Sequence, residues 1–389
     1  MSDHPTLDSI DFISGAWWGS NPHDDMTWLR ANAPVYFDGK AWGISKYADL
    51  KAISKDPETF SNAQGIRPDA DAIPHMIDMD DPEHFKRRKL VNKGFTPRRV
   101  RDRETEIRDA CNEIIDRVID KGECDFVWDI AAPLPLAIIA NDLGVDTEDR
   151  QQLLEWSDAM LSALTGDPVA AGPATEAFIG YMEYADRVIT DRKANPQEDL
   201  MSLLCHAEVD GHSLDHMSLI HESLLILIGG DETTRHVISG GAFQILKDRD
   251  NWVKLSADPS KLPVAIEEML RWVTPIKNMN RTATHDVEVR GQMIHEGDNV
   301  LLLYGSANRD EEVFEDPFRF DIERTPNDHV AFGFGTHFCL GNSLARLELR
   351  VMFEQLIERL PNLELVSDTE PSYRAANFVS GYESMLVRF

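Results

Sequence analysis

The sequence has no long apolar segment and no cysteine framework. No stretch approaches the roughly 20 consecutive apolar residues of a membrane-spanning helix, and the most apolar run extends only from Leu224 to Ile228. The four cysteines are scattered and form no C-x-x-C pair, which argues against a disulfide-stapled fold and favours a reducing compartment. Residues 1–22 contain neither the basic nor the apolar part of a signal peptide. We therefore expect a cytoplasmic protein without a membrane anchor.

Positive charge is also scarce. The 389 residues contain 39 Lys and Arg against 68 Asp and Glu, a formal net charge of −29. This balance disfavours nucleic acids and anionic membranes as partners. The exception is a basic segment from Lys86 to Arg103, in which Asp102 is the only acid. The sequence leaves two interpretations open for this segment, a solvated face or a docking surface for an acidic electron-transfer protein.

One cysteine, Cys339, lies in a glycine-rich segment from Phe332 to Gly341 that precedes a predicted helix. Gly333 and Gly335 permit a tight loop with positive φ, and Gly341 keeps the first helical turn free of a side chain. Free N–H groups and the dipole at a helix N-terminus stabilise a thiolate. This arrangement suits the axial ligand of a haem iron. The alternative is an inert buried cysteine beside a turn.

The segment matches the pattern F-G-x-G-x-H-x-C-x-G, which resembles the haem-binding signature of the cytochromes P-450. The resemblance implies a mainly α fold with a smaller β region, in one domain over residues 1–389. It also implies haem b between a long central helix and the cysteine loop, with Cys339 as the axial iron ligand and O2 as co-substrate. The sequence contains no flavin or Rossmann fingerprint of its own. Electrons from NAD(P)H are therefore expected through external partners, a ferredoxin and its reductase.

A helix predicted from about Ser213 to Lys247 would be long enough to cross the domain. It contains Gly229-Gly230-Asp231-Glu232-Thr233-Thr234, a poor helix interior that favours a local groove. Glu232 and Thr233 offer an acid and a hydroxyl for proton relay, unless this is only a kinked core helix. The run resembles the oxygen-activation motif of the cytochromes P-450, in which Glu232 and Thr233 would be catalytic. Many bacterial members have Asp at the acidic position.

Basic residues suited to carboxylate binding occur in three places. Asp81-Pro82 should begin a helix, with Asp81 as N-cap. His84 and Arg88 then share one helix face, which suits the two propionates of haem. The resemblance adds Arg281, on a predicted strand, and His337, in the cysteine loop, as further propionate ligands.

A further short pattern, Glu268-Met269-Leu270-Arg271, is by itself an ordinary i, i+3 ion pair. It matches the family's Glu-x-x-Arg, which joins a further arginine to stabilise the scaffold behind the haem. Arg324 is the expected third member. The role of the three residues is structural.

Several stretches resemble the actinobacterial sterol side-chain hydroxylases, among them residues 77–82, 230–236 and 377–381. The resemblance implies oxidation of the terminal side-chain methyl of cholesterol or cholest-4-en-3-one. Alternatives are another hydrophobic substrate such as a fatty acid, a peroxide-driven peroxygenase, and a non-catalytic haem-thiolate sensor. The candidate substrate-pocket residues are Met76, Ile77, Met79, Ile228, Gly229, Ile276, Met279, Phe378 and Val379.

Overall fold

The computed structural model describes residues 5–162 and 170–389. The sequence Gly166-Asp167-Pro168, which predicts a loop between two helices, lies outside the described residues. The helices are α1 Gly15–Gly19, α2 His23–Asn32, α3 Tyr47–Ile53, α4 Glu83–Val91, α5 Pro97–Asp102, α6 Glu104–Asp116, α7 Pro133–Asp142, α8 Arg150–Ser162, α9 Ala171–Ala194, α10 Leu200–His206, α11 His216–Lys247, α12 Arg249–Ala257, α13 Leu262–Val273, α14 Tyr304–Ala307 and α15 Asn342–Arg359.

The strands are short: β1 Val35–Phe37, β2 Trp42–Ile44, β3 Phe60–Ser61, β4 Glu123–Asp125, β5 Asn278–Ala283, β6 Val287–Val289, β7 Gln292–Ile294, β8 Asn299–Leu303, β9 Glu364–Leu365 and β10 Leu386–Arg388. Five of them form a sheet of order β1-β2-β8-β5-β3, in which β2 and β8 are parallel and the other pairs antiparallel. The predicted mainly α fold with a smaller β region is confirmed. In the described part of the chain no helix is long and apolar enough to cross a membrane.

The central helix, α11, organises the interior because it is apolar on nearly all sides. It is 32 residues long and packs against α7, α9 and α13. Its residues join the two large hydrophobic clusters, one built with α6, α13 and α15 and the other with α7, α9 and α10. A helix of this length spans about 48 Å at 1.5 Å per residue. It therefore passes through the molecule, and one stretch of it borders the principal cavity.

Two helix starts differ slightly from the sequence prediction. Helix α4 begins at Glu83, so Pro82 occupies the N-cap position instead of the first helical position. The Asp81 carboxylate still accepts a hydrogen bond from the backbone N–H of Phe85, at 3.0 Å. Helix α11 begins at His216, because its N-cap is Asp215, whose carboxylate accepts from the N–H of Ser218.

Candidate active site

A deep cavity lies between α11 and the loop that contains Cys339. It encloses about 1460 Å³ of space, counting its open mouth. One side is formed by residues 331–349 of the cysteine loop and α15, and the facing side by residues 225–237 of α11. Helix α4, the 3₁₀ turn Met76–Asp78 and strand β5 complete the wall. Most of the lining is apolar, as expected of a site for an organic ligand.

The cysteine loop is held in a fixed shape by its backbone. The N–H of Cys339 donates to the carbonyl of Phe332 at 2.9 Å. Gly333 and Gly335 have φ of 71° and 77°, a region that favours glycine. At Gly335 a Cβ atom would also lie 2.1 Å from the carbonyl oxygen of Ser54, so only glycine fits there. The loop therefore needs glycine in order to present Cys339 to the cavity.

The thiol of Cys339 is subject to opposing influences. Burial raises its pKa, while N–H groups of Gly341 and Asn342 and the charges of Arg88 and Arg346 lower it. The net shift is upward, so the thiolate stabilisation expected from the helix N-terminus is outweighed by desolvation in the protein alone. A haem iron bound here would oppose this shift, since a thiol that coordinates a metal ion loses its proton. Of the four cysteines, all described, Cys339 is the one that lines this cavity.

The basic residues predicted for carboxylate binding meet at the cavity: His84, Arg88, Arg281 and His337 all line it. Arg88 donates to the Phe338 carbonyl, and Arg281 donates to the Asn280 carbonyl at 2.7 Å. Within residues 5–162 and 170–389, no ion pair joins Arg88 or Arg281 to a carboxylate.

The two histidines of this group stack on each other, with ring centroids 4.1 Å apart. The carboxylate of Asp81 lies 3.1 Å from Nδ1 of His84, while Nε2 of His84 is buried without a hydrogen-bond partner. Burial, followed by the charges of His84, Arg281 and Arg88, lowers the pKa of His337 to about 2. A ligand with two carboxylates would offset the positive charge of Arg88 and Arg281 and favour protonated histidines, so that Nε2 of His84 could donate to it. The cluster therefore fits the propionates of haem.

Thr233 lines the cavity on the side that faces the cysteine loop. Its hydroxyl donates to the carbonyl of Gly229, four residues back on the helix, at 2.8 Å. Helix α11 nevertheless continues unbroken through this segment. Gly229 and Gly230 also line the cavity, and a Cβ at Gly230 would lie 2.4 Å from Cδ1 of Ile139. Glycine thus permits the close approach of α7 to α11 here.

Glu232 is oriented differently from Thr233. It is 1% exposed, does not line the cavity, and forms an ion pair with Arg235; Nε2 of His236 lies 3.1 Å from its carboxylate. Although burial opposes ionisation, the contact with His236 and the charge of Arg235 hold the pKa of Glu232 below its ordinary value. Burial and the neighbouring Glu232 raise the pKa of Asp231. In this conformation Glu232 is an ionised residue behind the cavity wall, so the direct proton contact suggested by the sequence is not made.

Glu268, Arg271 and Arg324 meet in the interior, as their spacing and the family resemblance indicated. Arg271 binds both carboxylate oxygens of Glu268 at 2.7 Å, and Nε of Arg324 lies 3.1 Å from Oε2. Glu268 and Arg271 are fully buried. Arg271 also donates to the carbonyls of Asn308 and Pro317. The network thus connects α13 to the segment that leads to the cysteine loop.

The apolar pocket candidates separate into two groups. Met76, Ile77, Gly229, Ile276 and Met279 line the cavity. The expectation was wrong for the other four, which lie outside its lining: Met79, Ile228, Phe378 and Val379.

The physical reasons differ among these four residues. Phe378 and Val379 pack with Ile66 in a small cluster behind the cavity wall. Ile228 packs on the cluster shared by α7, α9 and α10, since a helical neighbour of Gly229 points about 100° away from it. Met79 lies just past the 3₁₀ turn, in extended backbone.

Sequence reasoning missed several wall residues, including Phe95, Ile139 and Ile226. Each lies on a helix or turn whose rotation toward the cavity depends on packing with distant elements. Tyr304 and Glu348 also line the cavity, although no sequence motif includes them. Glu348 carries a signal that was available, an acid at a position where the helix pattern predicts burial.

A cysteine loop, a facing helix whose threonine lines the cavity and a cationic cluster are the combination found in a haem-thiolate enzyme. Comparisons with known proteins agree. The model of the Cytochrome P450 family matches residues 260–381. A "Steroid C26-monooxygenase" from Mycolicibacterium smegmatis is 50% identical over 100% of this chain and 98% of its own length. A protein of the same name from Mycobacterium tuberculosis is 52% identical, with the same coverage.

More distant relatives have other names. A "Methyl-branched lipid omega-hydroxylase" from Mycobacterium bovis is 36% identical over 92% of this chain and 87% of its own. Among solved structures, CYP268A2 of Mycobacterium marinum in complex with pseudoionone matches with a TM-score of 0.90 and 32% identity, covering 100% of both chains. The chain belongs to the cytochrome P450 family. Its cofactor is haem b, and it uses O2 with electrons from NAD(P)H that arrive through redox partners.

Proposed function

We propose that this cytochrome P450 is a monooxygenase that inserts one oxygen atom from O2 into the terminal side-chain methyl of cholesterol or cholest-4-en-3-one. The full-length identity of 50–52% with two proteins named steroid C26-monooxygenase carries the proposal. The apolar cavity between Cys339 and Thr233 supports it, because a hydrocarbon chain can lie there away from water. We also propose that residues 1–389 form one domain and that the protein is cytoplasmic.

In this proposal Cys339 would hold the haem iron through its thiolate. Arg88, Arg281, His84 and His337 bind the two propionates, which neutralise the cluster of cations described above. The haem, when bound, supplies the oxidation of the unactivated C–H bond, and a thiolate ligand favours O–O cleavage. The protein contributes the ligand, the charge balance and a dry cavity.

Thr233 is proposed to hold and pass protons inside the cavity. Its hydroxyl donates to the Gly229 carbonyl, so its lone pairs are free to accept a proton-bearing group from the cavity side. Glu232 is proposed to resupply these protons. Because its carboxylate is paired with Arg235 and His236, this step requires a change of Glu232 rotamer. The two residues therefore act in sequence and not as adjacent members of one fixed chain.

The electron donor is proposed to be a ferredoxin that docks beside α5. Three residues of the basic segment have internal roles: Arg87 pairs with Glu222 and Arg103 with Asp142, while Arg88 lines the cavity. Arg98 and Arg99 remain exposed on α5, which packs against α15, the helix that follows Cys339. This position brings the positive charge close to the thiolate side of the cavity.

Reversing Arg98 and Arg99 to Glu tests the docking site. We expect each reversal to slow reduction by ferredoxin, with a larger loss at low ionic strength because salt screens exposed charges. Lys40→Glu, an exposed reversal on the β1–β2 turn, is the control and should leave the rate unchanged. Equal rates for all variants would contradict docking at α5.

The substrate is tested by optical titration of the ferric protein with cholest-4-en-3-one. A saturable low-spin to high-spin shift of the Soret band, followed by product hydroxylated at the terminal methyl, is expected. A fatty acid of similar length serves as the competing substrate, since one relative is named as a lipid omega-hydroxylase. A Soret shift with the fatty acid and none with the sterol would exclude the sterol as the substrate and leave the protein a monooxygenase of another hydrophobic substrate. Turnover with peroxide alone would favour a peroxygenase, and any NADH-driven turnover would exclude a sensor.

A further inference from the structure

A buried carboxylate outside the reaction site ties three parts of the cavity wall together. Glu222 is on α11 and its side chain is 0% exposed. Its Oε1 accepts the backbone N–H of Met76 at 2.8 Å and lies 3.3 Å from Nη1 of Arg87 on α4. Arg87 also donates to the Pro74 carbonyl at 2.9 Å and to the Ser218 hydroxyl at 2.9 Å. Glu222 and Arg87 thus join α11, α4 and the segment before the Met76–Asp78 turn.

We propose that Glu222 is a positioning residue that holds the Met76–Asp78 turn against α11 and so fixes the cavity wall that a bulky substrate must fit. Met76 and Ile77 line the cavity, as do Leu225 and Ile226. Residues three and four positions apart share a helix face, so Glu222 lies on the same face as Leu225 and Ile226. One face of α11 therefore both packs against the turn and binds its backbone.

The base of this segment has separate anchors. The Asp78 carboxylate accepts the N–H groups of Ile66 and Ile73, at 3.0 and 2.8 Å. Asn62 donates to the Ile77 carbonyl at 3.0 Å. Residues 69–74 between these points are exposed. Loss of Glu222 should therefore loosen the turn at Met76, while Arg87 still links Pro74 to Ser218 of α11 and the anchors at Asp78 and Asn62 keep the segment on the body of the protein.

Charge is not the main contribution of Glu222. Burial raises its pKa to about 7, partly offset by the charge of Arg87 and the N–H of Met76. A neutral amide in place of the carboxyl keeps an acceptor for Met76. Glu222→Gln should therefore preserve the wall, whereas Glu222→Ala removes the acceptor and leaves the Met76 N–H unpaired.

Hydrogen exchange of the ligand-free holoprotein tests the contact directly. In Glu222→Ala the peptide that contains Met76 should exchange roughly tenfold faster, since the Met76 N–H loses its acceptor. Glu222→Gln, which keeps an acceptor, should stay within about threefold of the native protein. Glu83→Gln, which removes an exposed pair with Lys86 on α4, is the control and should change nothing at Met76. Unchanged exchange in the alanine variant would overturn the inference. Glu222→Leu, which fills the site without an acceptor, carries the same prediction if the alanine variant does not fold.

Ligand binding separates positioning from general stability. The inference rests on the proposed function for its substrate, so the ferric protein is titrated with cholest-4-en-3-one and with imidazole, a small iron ligand. Glu222→Ala should raise the sterol Kd about tenfold and leave the imidazole Kd unchanged, with rescue in Glu222→Gln. Equal losses for both ligands would overturn the inference in favour of a structural role. If the native protein does not bind the sterol, that result contradicts the proposed function only. The role of Glu222 is still tested, because hydrogen exchange at Met76 is measured without a substrate.

Discussion

Replacing Glu268 with glutamine removes the anion that two buried arginines share. Its carboxylate accepts from Arg271 twice at 2.7 Å, from Arg324, from the N–H of Asp321 at 2.9 Å and from Asn327 at 3.2 Å. Glutamine has nearly the same shape but no charge, and its amide group turns a donor toward the guanidinium groups. Both arginines are then buried with no counterion in this network.

The expected loss of stability can be estimated from the burial of Glu268 and Arg271. Breaking a buried ion pair by removing one partner costs about 3–5 kcal/mol, since the remaining charge stays desolvated. For a chain of 389 residues, the entropy of unfolding near the melting temperature is about 0.8 kcal/mol/K. The expected decrease in Tm is therefore roughly 4–6 °C for Glu268→Gln.

Thermal unfolding of the holoprotein, followed by circular dichroism and by the Soret band, measures this loss. The control is Glu323→Gln, which removes an exposed pair with Lys261 and should leave Tm unchanged, because exposed pairs contribute little. Since the network connects α13 to the segment before the cysteine loop, the haem band should be lost with the fold. A Glu268→Gln variant with the same Tm as the native protein would refute the argument from burial.

Two further predictions concern the cavity. Thr233→Ala should lower the product formed per NADH by on the order of tenfold or more, because the hydroxyl that transfers protons is lost, while the substrate Kd is unchanged. Thr233→Ser should restore the yield of product per NADH. An unchanged yield in the alanine variant would contradict the proton relay. Burial raises the pKa of Glu348 from 4.5 to about 8. Between these pH values the folded protein binds a proton at Glu348 that the unfolded chain has released. The free energy of unfolding therefore decreases as pH rises from about 4.5 to about 8. Glu348→Gln should therefore gain stability over the native protein at pH 8 but not at pH 5, and equal Tm differences at both pH values would contradict the shifted pKa.

The sequence alone was sufficient where the chemistry lies in consecutive residues. The cysteine loop, the glycine pair of α11 and the Glu268–Arg271 spacing each carry their meaning within ten residues. The turn at Asp38-Gly39 is equally local, because an Asp-Gly pair favours a tight hairpin, and it joins the antiparallel strands β1 and β2. For these features, turn chemistry and helix periodicity determine the local geometry before any tertiary contact forms.

The wall of the cavity could not be predicted in the same way. Whether Phe378 faces the cavity or Ile66 depends on how the C-terminal segment packs, and no local pattern encodes that choice. Glu232 is similar, because its orientation is set by Arg235 and by Arg374, which lies 142 positions further along the chain. Fold and cofactor chemistry were therefore predictable, while the shape of the substrate site required the tertiary structure.

The contact between Glu222 and Arg87 had a sequence signal that was overlooked. Glu222 is the one acid in the segment from Leu219 to Leu227 of the central helix, in which most of the other residues are apolar. A charged residue in such a run is buried, and it must find a partner. The partner, 135 positions away, was not recognisable, because Arg87 looks like any other member of the basic segment.

The central claim is that Cys339 is the thiolate ligand of the haem iron. The most direct measurement is the difference spectrum of the reduced carbon monoxide complex, recorded for the native protein and for single serine variants of all four cysteines. We expect the thiolate band in the native protein and in the variants of Cys111, Cys124 and Cys205, and its loss in Cys339→Ser with the fold intact. A thiolate band that persists in Cys339→Ser, or that is lost only with another cysteine, would contradict the account.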